Sequence, residues 1–180
     1  MNQIMAAMTK RRSIRRYTSD PVPEEVLADI LRAVQCSPSW ANTQCWEIVV
    51  IRDRNVKEQL QGVLSPKNPA AIAMTSAPVV LAVCGRVKTS GYYKGTAVTG
   101  LGDWMLFDLG LVTQNILLAA TSYNLGTVVV GAFDHDMAGS FLRLPQDVKA
   151  AVLIPLGYPD HSPGPTGRRA VDEFVHHNTY

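Results

Sequence analysis

Apolar residues fall along the chain at two spacings, one helical and one alternating or continuous. Ile4, Met5 and Met8 sit at helical spacing and predict a short helix over 2–10. Val26, Leu27, Ile30, Leu31 and Val34 line one face of a second helix. Pro23 opens it, Glu24 and Glu25 suit its first turn, and it ends before Pro38. Further helices are predicted over 54–64, 70–77 and 134–144, the last with Asp134 as N-cap. Four runs predict strands: EIVVIRD (47–53), PVVLAVCG (78–85), TVVVG (127–131) and AAVLIPLGYP (150–159). Between them, PSWANTQCW (38–46) is a polar loop flanked by tryptophans, KTSGYYKGTAVTG (88–100) reads as a flexible loop or lid, and PDHSPGPTGRR (159–169) is a proline-rich loop.

From Leu109 to Phe133 the chain has no Asp, Glu, Lys or Arg, a run long enough to raise a membrane span. Gln114, Asn115, Ser122 and Asn124 interrupt it, and Leu125-Gly126 reads as a helix stop before the TVVVG strand. A buried helix over Trp104–Tyr123 followed by a buried strand explains the run better. A helix apolar on most sides must be covered on most sides. Either it is the central helix of a monomer or a second subunit covers it; the second reading is preferred in a chain of 180 residues. Short strands alternating with helices, without internal repeats, predict one α/β or α+β layered domain over 1–180.

Composition adds modest limits. Apolar residues make up 47% and charged residues 18%, a globular balance. The three cysteines, Cys36, Cys45 and Cys84, have no CxxC spacing. That fits a reducing compartment and argues against a disulfide scaffold or a zinc site. The N-terminus carries its charge after a short apolar stretch, unlike a signal peptide, so the cytoplasm is expected.

The net charge is only +2, yet RRSIRRY (11–17) holds four arginines in six residues. In an extended segment Arg11, Ser13 and Arg15 share one face, with Arg12, Ile14 and Arg16 on the other. Two forked cations and a hydroxyl suit phosphate; a solvated basic loop suits the same residues. Arg168 and Arg169 form a second basic pair. A broad basic surface for nucleic acid is missing, since charges elsewhere are mixed in sign. Ser39, Asn42, Thr43 and Gln44, set around Trp40 and ahead of Trp46, suit a planar heterocycle, or else form a capped loop with core tryptophans. Asp134-His135-Asp136 reads as capping rather than metal binding, and His176-His177 lacks metal spacing. Neither a GxGxxG after a strand nor a GxSxG is present, and nothing activates Cys36 or Cys45. Without an obvious acid, base or nucleophile, a cofactor is expected to carry the chemistry.

RRSIR (11–15), PVPEEVLADILRAVQCSPSWANTQCWEIVVI (21–51), DLGLVTQNILLAA (108–120), NLGTVVVGAFD (124–134) and IPLGYP (154–159), in that order, resemble the FMN-dependent nitroreductase family. The resemblance implies an α+β fold with a central mixed β-sheet flanked by helices, in an intertwined homodimer with FMN at the interface. It implies hydride transfer from NADH or NADPH through flavin N5 to a small acceptor, by a ping-pong cycle, with no nucleic-acid or membrane partner. By the same resemblance Arg11 and Ser13 hold the FMN phosphate and ribityl chain, with Arg12 at the same turn and Arg15 near flavin N1 and O2. Pro38, Ser39, Trp40 and Asn42 reach the FMN of the other subunit. Gly131 and Ala132 lie by the N5 edge, Asn68 at the ring edge, and Arg168 or Arg169 on the phosphate. Cys45 stands where the family has proline. Ala132 stands where a second glycine is common, which strains the turn if that site needs φ > 0. The 88–100 segment is shorter than in larger members, with Tyr92, Tyr93 and Lys94 as rim residues. A halotyrosine dehalogenase, a flavin-fragmenting enzyme and a non-catalytic flavin binder are the rival readings.

Overall fold

The computed structural model describes residues 2–180. Four strands form one sheet: β1 (Trp46–Ile51), β2 (Val79–Arg86), β6 (Val148–Gly157) and β5 (Gly126–Thr127), in the order β1-β2-β6-β5. Each ladder is antiparallel. One parallel bridge, between Ser13 and Thr127, adds the N-terminal segment at the β5 edge. β3 (Tyr92–Tyr93) and β4 (Thr96–Ala97) make a separate hairpin. Six helices surround the sheet: α1 (Gln3–Lys10), α2 (Glu24–Gln35), α3 (Arg54–Gly62), α4 (Ala71–Ser76), α5 (Met105–Ser122) and α6 (His135–Phe141). The class is α+β.

β2 explains why its sequence reads as a continuous apolar run. Val80, Ala82 and Cys84 face one core with Leu60 and Phe133, while Val79, Leu81 and Val83 face another with Ile30, Val112 and Ile116. A strand covered on both faces has no polar side to alternate with. The second core is closed by α2 against α5, and α5 buries Asp108, Val112 and Ile116 completely. α5 is long and apolar enough to cross a membrane by length and composition alone. Its inner face is part of this core, while Leu106 and Phe107 remain 67% and 59% exposed.

Three sequence expectations change. The TVVVG run is a regular ladder only at Gly126–Thr127 and closes again at one bridge, Val130 to Leu153. The register that pairs Thr127 with Leu156 and Val130 with Leu153 sets Val128 opposite Pro155, which has no N–H to donate. The stop of α5 is Asn124, in the left-handed region at φ 58°, with Leu125 N–H donating to Ala120 O as in a Schellman motif. Gly126 serves close packing instead, since a methyl group there would lie 2.6 Å from Ile14 Cγ1. The 88–100 segment is not shapeless. Lys94 (φ 49°) and Gly95 (φ 79°) form the two-residue turn of a hairpin, a combination that matches the strand twist. Asp134 caps α6 as expected, accepting from Met137 N–H at 2.9 Å.

All three cysteines are free; Cys36 is exposed, Cys45 and Cys84 buried. Burial pushes the Cys84 thiol up to about 12, and burial with the neighbouring Asp108 does the same for Cys45. Unfolded thiols lose their protons from about pH 8.5 upward, whereas these two keep theirs until about pH 12 when folded. Across that window the folded state holds more protons, so stability is full below it and falls as pH rises through it. We expect urea midpoints to decline through the window and Cys84→Ala to flatten the decline. At neutral pH a thiol reagent should label Cys36 alone on the native protein. Rapid labelling of all three would contradict this burial.

Candidate functional site

Arg11 leaves α1 at its C-cap, with φ −54° and ψ 131°, so the chain runs extended from there. Ile14 N–H donates to Thr127 O at 2.9 Å, and the Ile14 side chain is buried beneath Gly126. Tyr17 anchors the far end. It is buried, with its hydroxyl 2.6 Å from Ile14 O and 3.0 Å from Pro155 O. Burial holds that phenol well above its usual range, so it stays protonated. With Ile14 and Tyr17 pinned inward, the residues between α1 and the sheet edge are held in place.

Arg11, Arg12, Ser13 and Arg15 line a cleft of about 560 Å³, facing Pro163–Thr166 and Arg168. The two basic clusters therefore meet. Arg168 enters the cleft, bracing one guanidinium nitrogen on Thr166 Oγ1 at 2.5 Å and Gly167 O at 2.9 Å. Arg169 turns away: it ion-pairs with Glu173 and lies over the Phe174 ring. Arg12 also lines the cleft, although strict alternation would point it elsewhere. Its Nη1 donates to Thr9 O and Arg11 O, 2.7 and 2.8 Å away, so its guanidinium braces the turn. Burial, then Arg168, then Arg12 press the Arg11 pKa below its ordinary value. Among the described residues no carboxylate lines the cleft. Gathered cations without a counter-charge raise the local potential and suit a multiply charged anion.

A second group lies around Ala132. Its carbonyl accepts from Ser65 N–H at 3.0 Å and is approached by Asn68 Nδ2 at 3.4 Å, while Asn68 Oδ1 accepts from Ala70 N–H at 2.9 Å. Asn68, Gly131 and Ala132 are thus brought together. Ala132 is not in the left-handed region, so alanine there carries no strain. At Gly131 a methyl group would find nothing of this chain nearer than 3.9 Å.

Pro38, Ser39, Trp40 and Asn42 do not reach the arginine cleft of their own chain. Ser39 Oγ accepts from Gln44 N–H at 2.9 Å, and Asn42 Oδ1 from Gln44 Nε2 at 3.2 Å. Ala41, Asn42 and Gln44 all have positive φ, between 46° and 55°. Three non-glycine residues so placed within four positions store backbone strain of the kind that surrounding structure must hold. The holding group was not among the sequence candidates. Asp108, wholly buried, accepts from Trp40 N–H at 3.0 Å and from the Ser90 hydroxyl at 2.6 Å. Its only sequence signal was a lone acid in an otherwise apolar helix. Among the described residues no cluster of metal-ligating side chains is present.

The model of the nitroreductase family matches residues 8–158. The chain belongs to the nitroreductase family. A nitroreductase-family relative from Methanothermobacter thermautotrophicus, provisionally named NADH dehydrogenase/NAD(P)H nitroreductase, is 33% identical over 165 residues, covering 89% of this chain and 80% of that one. An iodotyrosine deiodinase from Nematostella vectensis is 33% identical over 174 residues, covering 85% and 66%. Among solved structures, NADPH:FMN oxidoreductase from Vibrio harveyi complexed with NAD+ superposes with a TM-score of 0.79 at 27% identity, covering 99% of this chain and 78% of that one.

Proposed function

We propose that this nitroreductase-family member is an FMN-dependent oxidoreductase that takes a hydride from NADH or NADPH and reduces a small nitroaromatic or quinone, in ping-pong order. The observation that carries the reading is the arginine cleft: four cations and a serine hydroxyl around one space, with no carboxylate among the described residues that line it. That donor set fits the phosphate of FMN. When bound, FMN supplies two-electron chemistry, which the chain's own side chains cannot.

The residues take the following roles in this reading. Arg11, Arg168 and Ser13 hold the phosphate end, and Arg12 keeps their turn rigid. Arg169 is left to its ion pair. Arg15 presents a permanent cation to the ring, which favours negative charge there. Asn68 and the Gly131–Ala132 backbone border the ring edge. Pro38, Ser39, Trp40 and Asn42 serve the flavin of a second copy, consistent with their distance from this chain's cleft. Uncovered apolar side chains support a homodimer: Leu106 and Phe107 on α5, Ile4, Met5 and Met8 on α1, and Val171, Phe174 and Val175 in the tail. We place the protein in the cytoplasm, with small molecules rather than nucleic acid or membrane as partners.

Stopped-flow reduction of the FMN-loaded protein by NADH and by NADPH is the test. Bleaching well above the free-FMN rate, followed by turnover with quinones or nitroaromatics, supports the reading. Bleaching no faster than free FMN defeats it. Arg15→Ala should slow reduction about tenfold, less than the roughly hundredfold cost of losing a water-excluded charge-stabilising donor because Arg15 is exposed. A rate unchanged by Arg15→Ala would make that arginine surface charge. The deiodinase relative favours one second reading, reductive dehalogenation of a halotyrosine. The 88–104 segment contains no glutamate to hold an amino-acid ammonium group, which counts against it.

A further inference from the structure

Asp108 lies in the first turn of α5, where the helix dipole favours an acidic side chain. Its two carboxyl oxygens gather three donors from two stretches of chain, the 38–46 loop and the 88–104 excursion. Oδ1 accepts from Trp40 N–H at 3.0 Å. Oδ2 accepts from Ser90 Oγ at 2.6 Å and lies 3.6 Å from Cys45 Sγ. Burial raises the Cys45 thiol pKa to about 12, so the thiol keeps its proton and remains a donor. Ser90 is itself fully buried.

What each stretch lacks elsewhere gives this node its weight. Among the described residues, every other hydrogen bond made by residues 39–44 closes within that loop: Asn42 N–H to Ser39 O, Thr43 N–H to Trp40 O, and the two Gln44 bonds. Among the described residues, the Trp40–Asp108 bond is thus the one hydrogen bond from 39–44 that reaches the body of the protein, while the next residue, Cys45, is held separately by its contact with Asp108 and by Arg86 N–H donating to its carbonyl at 2.8 Å. On the other side, Ser90 sits at the base of the 88–104 excursion. Trp104 N–H donates to Ser90 O at 3.1 Å, and Lys88 N–H to Asp103 Oδ2 at 2.6 Å, so the two ends of the excursion lie side by side.

We propose that Asp108 is a positioning residue that couples the 39–44 loop to the 88–104 excursion through a single carboxyl group. Ser90 fixes the rotation of the carboxyl plane, and that rotation aims Oδ1 at the Trp40 amide. A shift of the excursion is thereby felt in a loop that lies far earlier in the sequence. The functional meaning rests on the flavin reading, in which the loop serves the cofactor and the excursion forms the acceptor rim. The coupling itself does not depend on it.

Hydrogen exchange on Ser90→Ala and Asp108→Asn tests the proposal. Ser90→Ala removes one hydroxyl from the excursion and nothing from the loop. We expect amides of residues 39–44 to exchange about threefold to tenfold faster in it, the scale of one weakened hydrogen bond. Asp108→Asn should free the same amides further, because an amide offers one acceptor oxygen in place of two. With FMN, Ser90→Ala should weaken cofactor binding severalfold as well as raise the KM for a quinone, with kcat of the loaded protein within about twofold, a split that general destabilisation does not produce. If Ser90→Ala loosens only 88–104 and leaves 39–44 at the wild-type rate, the coupling is overturned. Should Asp108→Asn fail to fold, Ser90→Ala decides alone. A protein that binds no FMN would end the flavin reading, and the exchange result would still decide the coupling.

Discussion

Arg11→Ala combined with Arg168→Ala should weaken FMN binding by about a hundredfold or more while leaving riboflavin binding nearly unchanged. Each arginine offers a charge-assisted contact worth about 1.5–3 kcal/mol to a phosphate oxygen, and a factor of ten corresponds to about 1.4 kcal/mol. The structure makes the pair act together, because both line one cleft and Arg168 depresses the Arg11 pKa from nearby. Removing either cation relieves repulsion felt by the other, so the single variants should each lose less than half of the double-variant effect. Flavin fluorescence titration with FMN and with riboflavin separates the phosphate term from the ring term. Equal loss of both ligands would mean that the arginines hold the fold or the ring, and the phosphate assignment would fall.

Gly126→Ala should lower both stability and cofactor affinity through one contact. Its new methyl group would meet Ile14 Cγ1, Cβ and Cγ2 at 2.6, 2.7 and 2.8 Å. Gly126 has no positive φ, so the cost is steric. Ile14 is held from behind by the core, and the strand carrying Gly126 by its pairing with Gly157. Overpacking of this kind costs about 1–3 kcal/mol. Relief requires Ile14 to move outward, which stretches its bond to Thr127 and carries Ser13 with it. Gly131→Ala is the control, since its methyl group would have no neighbour within 3.9 Å in this chain. Urea unfolding should separate the two variants clearly; a Gly126→Ala protein as stable as wild type would refute the packing argument.

These sites differ in how far the amino-acid sequence discloses them. β2 was legible because a strand buried on both faces writes an unbroken apolar run. Asp134 was legible because capping is local. The break after Thr127 was hidden, because Pro155 causes it from a distant strand and acts only once the register is known. Arg168 and Arg169 are neighbours in sequence and were indistinguishable there; the fold sends one into the cleft and the other to Glu173. Arg12 joined the cleft because its own turn supplies carbonyls for it, which a two-residue repeat cannot express. Asp108 was the hardest, since an acid in an apolar helix announces neither its depth nor its partners. The resemblance supplied roles for the SWANTQ residues, but their separation from the arginines within one chain is a property of the fold.

The closed base of the 88–104 excursion has a consequence for how this scaffold diversifies. Its two ends are clasped by backbone and Asp103 contacts, so whatever lies between them is added to the protein much as a bead is added to a closed ring. The cost of closing a longer loop grows only slowly with its length. The turn at Lys94-Gly95 stands in solvent, and a methyl group on Gly95 would touch nothing. New residues inserted at that tip would change the reach and polarity of the rim without asking anything of the core. In the flavin reading proposed above, acceptor range can therefore be exchanged as a module, provided that the graft keeps Lys88, Ser90, Asp103 and Trp104 where they are.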